Sequence, residues 1–226
     1  DGVTAIVTSL SDWVIVEENE INFGTIEDGS EVEGDGDVII HIDSSCPDGE
    51  LRPSTRPVLQ IDYISGDDVW TSAIQLDPHS PNFAIRRIIG GVVIPANMVN
   101  KDIDLENIGR LDSSPLTAVL QTLGMGISVI ENTAFFPGID AGDHENLTND
   151  NDFRLAGNSI VVPGSMTEMM LILSSDNGFI DTTYFKLQTR TTGENAPQGP
   201  DGYGYICFDD TDTDWDIAPD YDWIEI

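Results

Sequence analysis

The chain has 226 residues, and its 41 acidic side chains against 9 basic ones give a net charge of -32. That imbalance excludes nucleic-acid binding through phosphate neutralisation, which needs a basic stripe, and it opposes docking on anionic membrane surfaces. Hydrophobic residues make up 39%, enough for a packed core, while no apolar run nears the ~18 residues of a membrane span, so no membrane insertion is expected.

The chain starts at Asp1 with no basic segment leading into an apolar one, and a mature exported protein is expected. Along the sequence "VTAIVTS" (3–9), "DVIIHID" (37–43), "VLQIDYI" (58–64), "KDIDLE" (101–106) and "TYFKLQT" (183–189) alternate with period two. Each predicts a strand buried on one face. "WVIV" (13–16), "GVVI" (91–94), "SIVV" (159–162) and "MMLIL" (169–173) are short continuous apolar runs suited to inner strands. Gly, Pro, Asn and Asp punctuate them, as in "SGDD" (65–68), "DPHSPN" (77–82) and "SDNG" (175–178). One segment breaks the pattern. In "SSPLTAVLQTLG" (113–124), Ser114 can cap a helix and Pro115 can open it, with Leu116, Val119, Leu120 and Leu123 at helical spacing and Gly124 at the end. The spacing predicts one short helix near 115–123.

Cys46 and Cys207 can form one long-range bridge in an oxidising compartment. It would close a loop of roughly 160 residues and stabilise by about 4–5 kcal/mol on the chain-entropy model. Two free thiols are the other reading. His41, His79 and His144 stand in no nucleophile-and-base pattern, and HExxH, GxSxG and phosphate-cradling glycine loops are all missing. The chain is therefore expected not to be an enzyme.

The acid is where chemistry could reside. "DDTDTDWD" places Asp210, Asp212, Asp214 and Asp216 at alternate positions. Their carboxylates can line one face of a strand or converge on a calcium ion, which prefers hard oxygen ligands. An EF-hand is excluded, because Trp215 stands at its glycine position and Tyr221 at its glutamate position. "DAGDHENLTNDND" (140–152) is a second candidate calcium segment, with Asp140, Asp143, Asp150 and Asp152 beside Glu145 and amide oxygens. For both, a solvated acidic surface suited to high salt or to solubility is the competing reading. Asn146-Leu147-Thr148 is a glycosylation sequon, meaningful only in a glycosylating pathway. The terminal "DYDWIEI" alternates, with Tyr221 and Trp223 on one side and Ile224 and Ile226 on the other. It can add as a strand to a sheet edge, of its own subunit or a neighbour's.

"INFGTI" (21–26) followed by "VIIHIDSSC" (38–46), and "YFKLQTRTTGENAPQGPDGYGYICF" (184–208), resemble the early strand pair and final hairpin of chaperone–usher-type fimbrial subunits. In that family an incomplete immunoglobulin-like sandwich is completed by a neighbour's strand, so "GVTAIVTSL" (2–10) would stand where the donor strand lies. The pattern departs from the family in lacking a cysteine before "INFG" and in the residues that follow Phe208. "SPLTAVL" and "MMLILSSDNGF" more faintly resemble bacterial spondin-type domains, calcium-associated extracellular β-sandwiches.

These readings together predict an all-β antiparallel sandwich, immunoglobulin-like or jelly-roll, with one helix near 115–123. Residues 1–208 would form a single domain with an extended N-terminal strand at 2–10, and 209–226 an acidic C-terminal extension. The expected function is an extracellular subunit at the cell surface, assembling with other copies of itself into a filament or layer by strand exchange, with calcium as a stabilising cofactor. Val3, Ala5, Ile6 and Val7 are the first candidate assembly strand, and Tyr221 and Trp223 mark the second. The alternative is a monomeric calcium-dependent carbohydrate- or ligand-binding adhesin, with Trp13, Trp70, Trp215 and Trp223 as candidate stacking surfaces.

Overall fold

Period-two alternation becomes strand throughout the computed structural model, which describes residues 2–94, 97–147, 152–158, 164–189, 205–212 and 218–219, together with Pro197 and Tyr203. Among these residues the ladders between strands are antiparallel and the helical content is one 3-10 turn, Pro53–Thr55, so the all-β, sandwich-like expectation stands. The chain divides into two units. The first comprises Asp1–Asn82, Ile108–Asp112 and Asn177–Phe179, and the second Phe83–Asn107, Ser113–Asp176 and Ile180–Ile226.

The first unit contains β1 (Val3–Ser9), β2 (Val14–Glu18), β3 (Glu20–Gly24), β4 (Ile39–Ile42), β5 (Val58–Ser65) and β6 (Asp68–Gln75). Four of them form a sheet in the order β3-β1-β5-β6, and β2 pairs with β4. Directly opposed residues share a face. Ala5 pairs with both Ile21 and Tyr63, Val7 with Ile61, Tyr63 with Trp70, and Leu59 with Ile74, which defines one apolar face across the sheet. The small sheet closes part of that face: Val14 completes a core with Val7 and Leu59, and Val16 and Ile40 pack against it. The β5–β6 hairpin turns on Gly66, whose φ of 60° suits the first central position of a two-residue turn. Residues 2–10, expected to be an extended donor, instead supply β1, an interior strand of this sheet with Ala5 and Val7 buried. The alternation that would suit a borrowed strand serves equally for one paired at home.

An ion network pins Ile108–Asp112 to the rest of the first unit. Asp48 is fully buried and receives Arg110 Nε on both carboxylate oxygens at 3.0 Å. The amides of Glu50, Leu51 and Ser80 donate to it as well. Arg110 also grips Asp77 with both terminal nitrogens, at 2.9 and 3.1 Å. Burial pushes the Asp48 carboxyl upward, but the Arg110 and amide hydrogen bonds outweigh that and hold it down at about 2.

The second unit contains β7 (Phe83–Gly90), β8 (Met98–Asn107), β9 (Leu116–Thr122), β10 (Ile127–Glu131), β11 (Thr133–Phe136), β12 (His144–Asn146), β13 (Phe153–Gly157), β14 (Met166–Ser174) and β15 (Ile180–Gln188). One sheet runs β11-β9-β14-β15, and the other is built around β8, which pairs with β7 on one edge and with β12 and β13 on the other. Ile103, Leu105, Phe153 and Leu155 are buried, as are Met169, Leu171 and Leu173 from β14.

The helix expected near 115–123 is not formed; Leu116–Thr122 is β9, in the interior of its sheet between β11 and β14. Leu116, Ala118 and Leu120 are its buried residues, a period of two that the helical spacing of the leucines masked. Leu123, the last leucine of the supposed apolar stripe, is exposed. β-Branched Thr117, Val119 and Thr122 favour the pleated conformation.

Lys101 sits at an unusual place for a charge. It lies two residues before Ile103 on β8 and is 7% exposed, and its Nζ reaches the Gly90 carbonyl at 3.4 Å. No carboxylate pairs with it among the described residues, and burial pushes its pKa down. Lys101→Met should therefore stabilise the fold at neutral pH by about 1–3 kcal/mol, the cost of burying a charge held by one long hydrogen bond and no counter-ion. Unfolded lysine holds its proton up to 10.5 and the folded one releases it earlier, so the wild type regains stability as pH climbs towards 10.5 and the advantage shrinks. Urea midpoints at neutral and alkaline pH measure both effects, and a destabilised variant refutes them.

Candidate functional site

Two surfaces stand out once the sheets are in place. The first is the outer edge of β6. Its sequence, "DVWTSAIQ", has neither lysine nor proline to discourage pairing, and all eight residues are exposed. β5 is its one partner among the described residues, so the backbone groups of its far side face outward. Thr71 Oγ1 donates to Asp62 at 2.7 Å across the hairpin and Gln60 donates to the same carboxylate, which holds the register. These two bonds, Thr71 first, lower the Asp62 pKa. Trp70 (56% exposed) and Ile74 (49%) share the face that carries Leu59 and Val7, but the cover supplied by β2 and β4 stops short of them. Val69 is exposed on the opposite face.

The second surface is the polar face of β8. Asp102, Asp104 and Glu106 alternate along it, and β12 sets His144 opposite Glu106 and Asn146 opposite Asp104. The ladder continues where the Leu147 amide donates to the Ile103 carbonyl at 3.3 Å, and resumes at Phe153 opposite Lys101. β12 and β13 therefore pair with successive parts of β8, and Asp152, one step before Phe153, falls beside Asp102.

Two acids of β8, Asp102 half-buried and Asp104 buried, meet opposite fates. Asp104 is fully buried, with Arg87 Nε and His144 Nδ1 each at 2.9 Å and Arg86 at 3.9 Å. Burial raises its pKa, but the bonds from Arg87 and then His144 prevail and the net shift is downward. Asp102 meets another acid. Burial, followed by the Asp152 carboxyl beside it, raises its pKa to about 6. No ion pair reaches either group among the described residues. Asn100 Nδ2 donates to Asp152 Oδ2 at 3.3 Å, while Asp152 Oδ1 and Asn146 Oδ1 are buried acceptors without a donor.

The expected calcium residues scatter. Asp140 and Asp143 are exposed and form a turn in which the Asp143 amide donates to the Asp140 carbonyl. Asp150, Asp214 and Asp216 lie outside the described residues, as do Tyr221 and Trp223 of the second candidate assembly strand. Asp210 is exposed, and Asp212 is buried with its Oδ2 accepting from the Asp209 amide at 2.7 Å. No three acidic, histidine or cysteine side chains converge among the described residues. Asn146 of the sequon is half-buried in β12. Val3 and Ile6 lie on β1 with Ala5 and Val7. The Cys46–Cys207 bridge is not present: both are free thiols, Cys46 buried with its thiol pKa raised by burial and then by Asp43, Cys207 exposed.

Asp102 was missed because it sits in "KDIDLE", read as a strand, and Asn146 because its motif drew a glycosylation reading. The signal for both is pairing across strands, which a linear sequence does not carry. The chain matches no family model and no curated protein.

Proposed function

We propose that this protein is an exported, non-catalytic structural subunit that joins other copies of itself through the β6 edge at a cell surface. The observation that carries the reading is Trp70 and Ile74, exposed on the same sheet face that buries Leu59 and Val7. An added strand would pair the outward backbone of β6 and extend the cover over both side chains. Since residues 2–10 are already committed to β1, the strand we assign to this role is the neighbour's "DYDWIEI", whose Tyr221 and Trp223 alternate as such a strand requires. Donation from one end of a copy to the edge of the next does not close on itself and so propagates as a fibre. The net charge of -32 would keep finished fibres apart.

Light scattering and electron microscopy of the full chain, in the presence of a chelator, test this. Assemblies far above the 24.6 kDa monomer are expected for the wild type. They should be lost both on deleting residues 220–226 and in Trp70→Lys/Ile74→Lys. A wild type that stays monomeric at high concentration, or assemblies indifferent to both changes, overturns the reading. One observation favours the adhesin alternative: Trp70, beside Tyr63 on an open face, could stack against a sugar ring. A monomer whose glycan binding is abolished by Trp70→Ala would establish that reading instead.

A further inference from the structure

The sheet β3-β1-β5-β6 has two edges, and they are finished differently. At β6 the far side of the backbone faces outward. At β3 it is engaged. The Asn22 amide donates to the Asp35 carbonyl at 2.8 Å, and the Asp35 amide donates back to the Asn22 carbonyl at 2.7 Å. This isolated antiparallel bridge lies on the side of β3 away from β1. The Gly24 amide, at the end of the strand, donates to the Asn22 side-chain oxygen at 2.8 Å. A strap running from Glu27 to Asp37 thus lies against the second edge of this sheet.

Two glycines seat the strap. A side chain at Gly34 would run into Ile21 Cγ2, and its first carbon would stand 2.9 Å from the Phe23 ring. Gly36 has a φ of 120°, and a first side-chain carbon there would lie 2.8 Å from the Glu20 carbonyl oxygen. The Phe23 ring in turn lies 6.3 Å from that of Tyr63, on the face that carries Ile21 and Ala5. The strap therefore closes both the edge and the adjoining end of the apolar face. Its outer surface has the opposite character. Glu27, Asp28, Glu31, Glu33, Asp35 and Asp37 are all exposed, and no base stands among them. A covering loop and outward charge are two means by which natural sheets keep an edge from pairing with another copy.

We propose that the Glu27–Asp37 strap is an autoinhibitory edge guard: it occupies the strand-accepting edge of β3, so that a partner's strand is admitted only at β6. With both edges open, copies could pair β6 to β6, β3 to β3 or β6 to β3. With β3 guarded, one accepting edge remains per chain, and growth has a single direction. The direction of growth rests on the β6 assembly reading, whereas the guarding of β3 does not.

Gly34→Val and Gly36→Ala test it, each placed in the full chain that also carries Trp70→Lys/Ile74→Lys, so that β6 is blocked throughout. The strap should lift from β3. Hydrogen exchange at the Asn22 and Asp35 amides should quicken by about tenfold or more. Analytical ultracentrifugation should show dimers or larger species where the β6-blocked parent is a monomer. Val32→Thr, at a strap position 40% exposed, should leave both readouts unchanged. Should Gly34→Val fail to fold, Gly36→Ala carries the comparison. Faster exchange with no association overturns the proposal, as does association without faster exchange, or exchange unchanged in both glycine variants. A wild type that never assembles would remove the β6 reading alone, because every comparison here is made with β6 blocked.

Discussion

Asp48→Ala is expected to destabilise the first unit by about 3–5 kcal/mol, the cost of removing one partner from a buried ion pair. The size follows from what is left behind. Arg110 is 24% exposed and has organised its fork around two acids, Asp48 and Asp77. The amides of Glu50, Leu51 and Ser80 would lose their acceptor at the same time. Asp48→Asn should cost less than alanine, since it preserves an acceptor and the shape of the site. Acid should reproduce part of the loss without mutation. Folding holds this carboxyl below its ordinary 3.8, so the stabilisation is complete above that value and drains away as pH falls through about 2. Denaturant unfolding of wild type and Asp48→Ala between pH 7 and pH 2 checks both points. The two proteins should converge in stability at the acid end, and a constant gap would refute the account.

Phe153→Ala should cost a similar ~3–5 kcal/mol for a different reason. Phe153 is fully buried and opens β13 on the face shared by Ile103, Leu105 and Leu155, all 1% exposed or less. Truncation removes a large apolar surface and leaves a cavity that strands paired on both edges close poorly. Phe153→Leu fills much of that volume and should cost no more than about 1.5 kcal/mol. Chemical denaturation separates the pair. A loss under ~1 kcal/mol for alanine would show that this side chain is not part of a close-packed core.

Neither effect depends on the proposed assembly, and that independence is useful. A variant that loses fibres while keeping its unfolding midpoint reports on the β6 edge alone.

The strands that could be read from residues were those whose surroundings are simple. "VTAIVTS", "VLQIDYI" and "TYFKLQT" became β1, β5 and β15, each where alternation placed it. "DVWTSAIQ" gave little warning of β6, since both of its faces meet solvent and nothing selects an apolar side. "LTAVLQT" carried two periods at once, and pairing with β11 and β14 selected the period of two over the helical one. "GVVI" forms no strand; Val93 makes a single bridge to Thr189.

What the sequence determined by itself was the all-β character and the excess of acid, because alternation and charge are properties of neighbours along the chain. Which acids become chemistry was decided only by the tertiary structure. Asp102 and Asp104 stand two residues apart with the same local context, yet the register of β7 and β12 brings Arg87 and His144 to one, while the return of the chain at Asp152 brings a second acid to the other. Coulomb energy depends on separation in space, and the residues that set it here are 17 to 50 positions away along the chain.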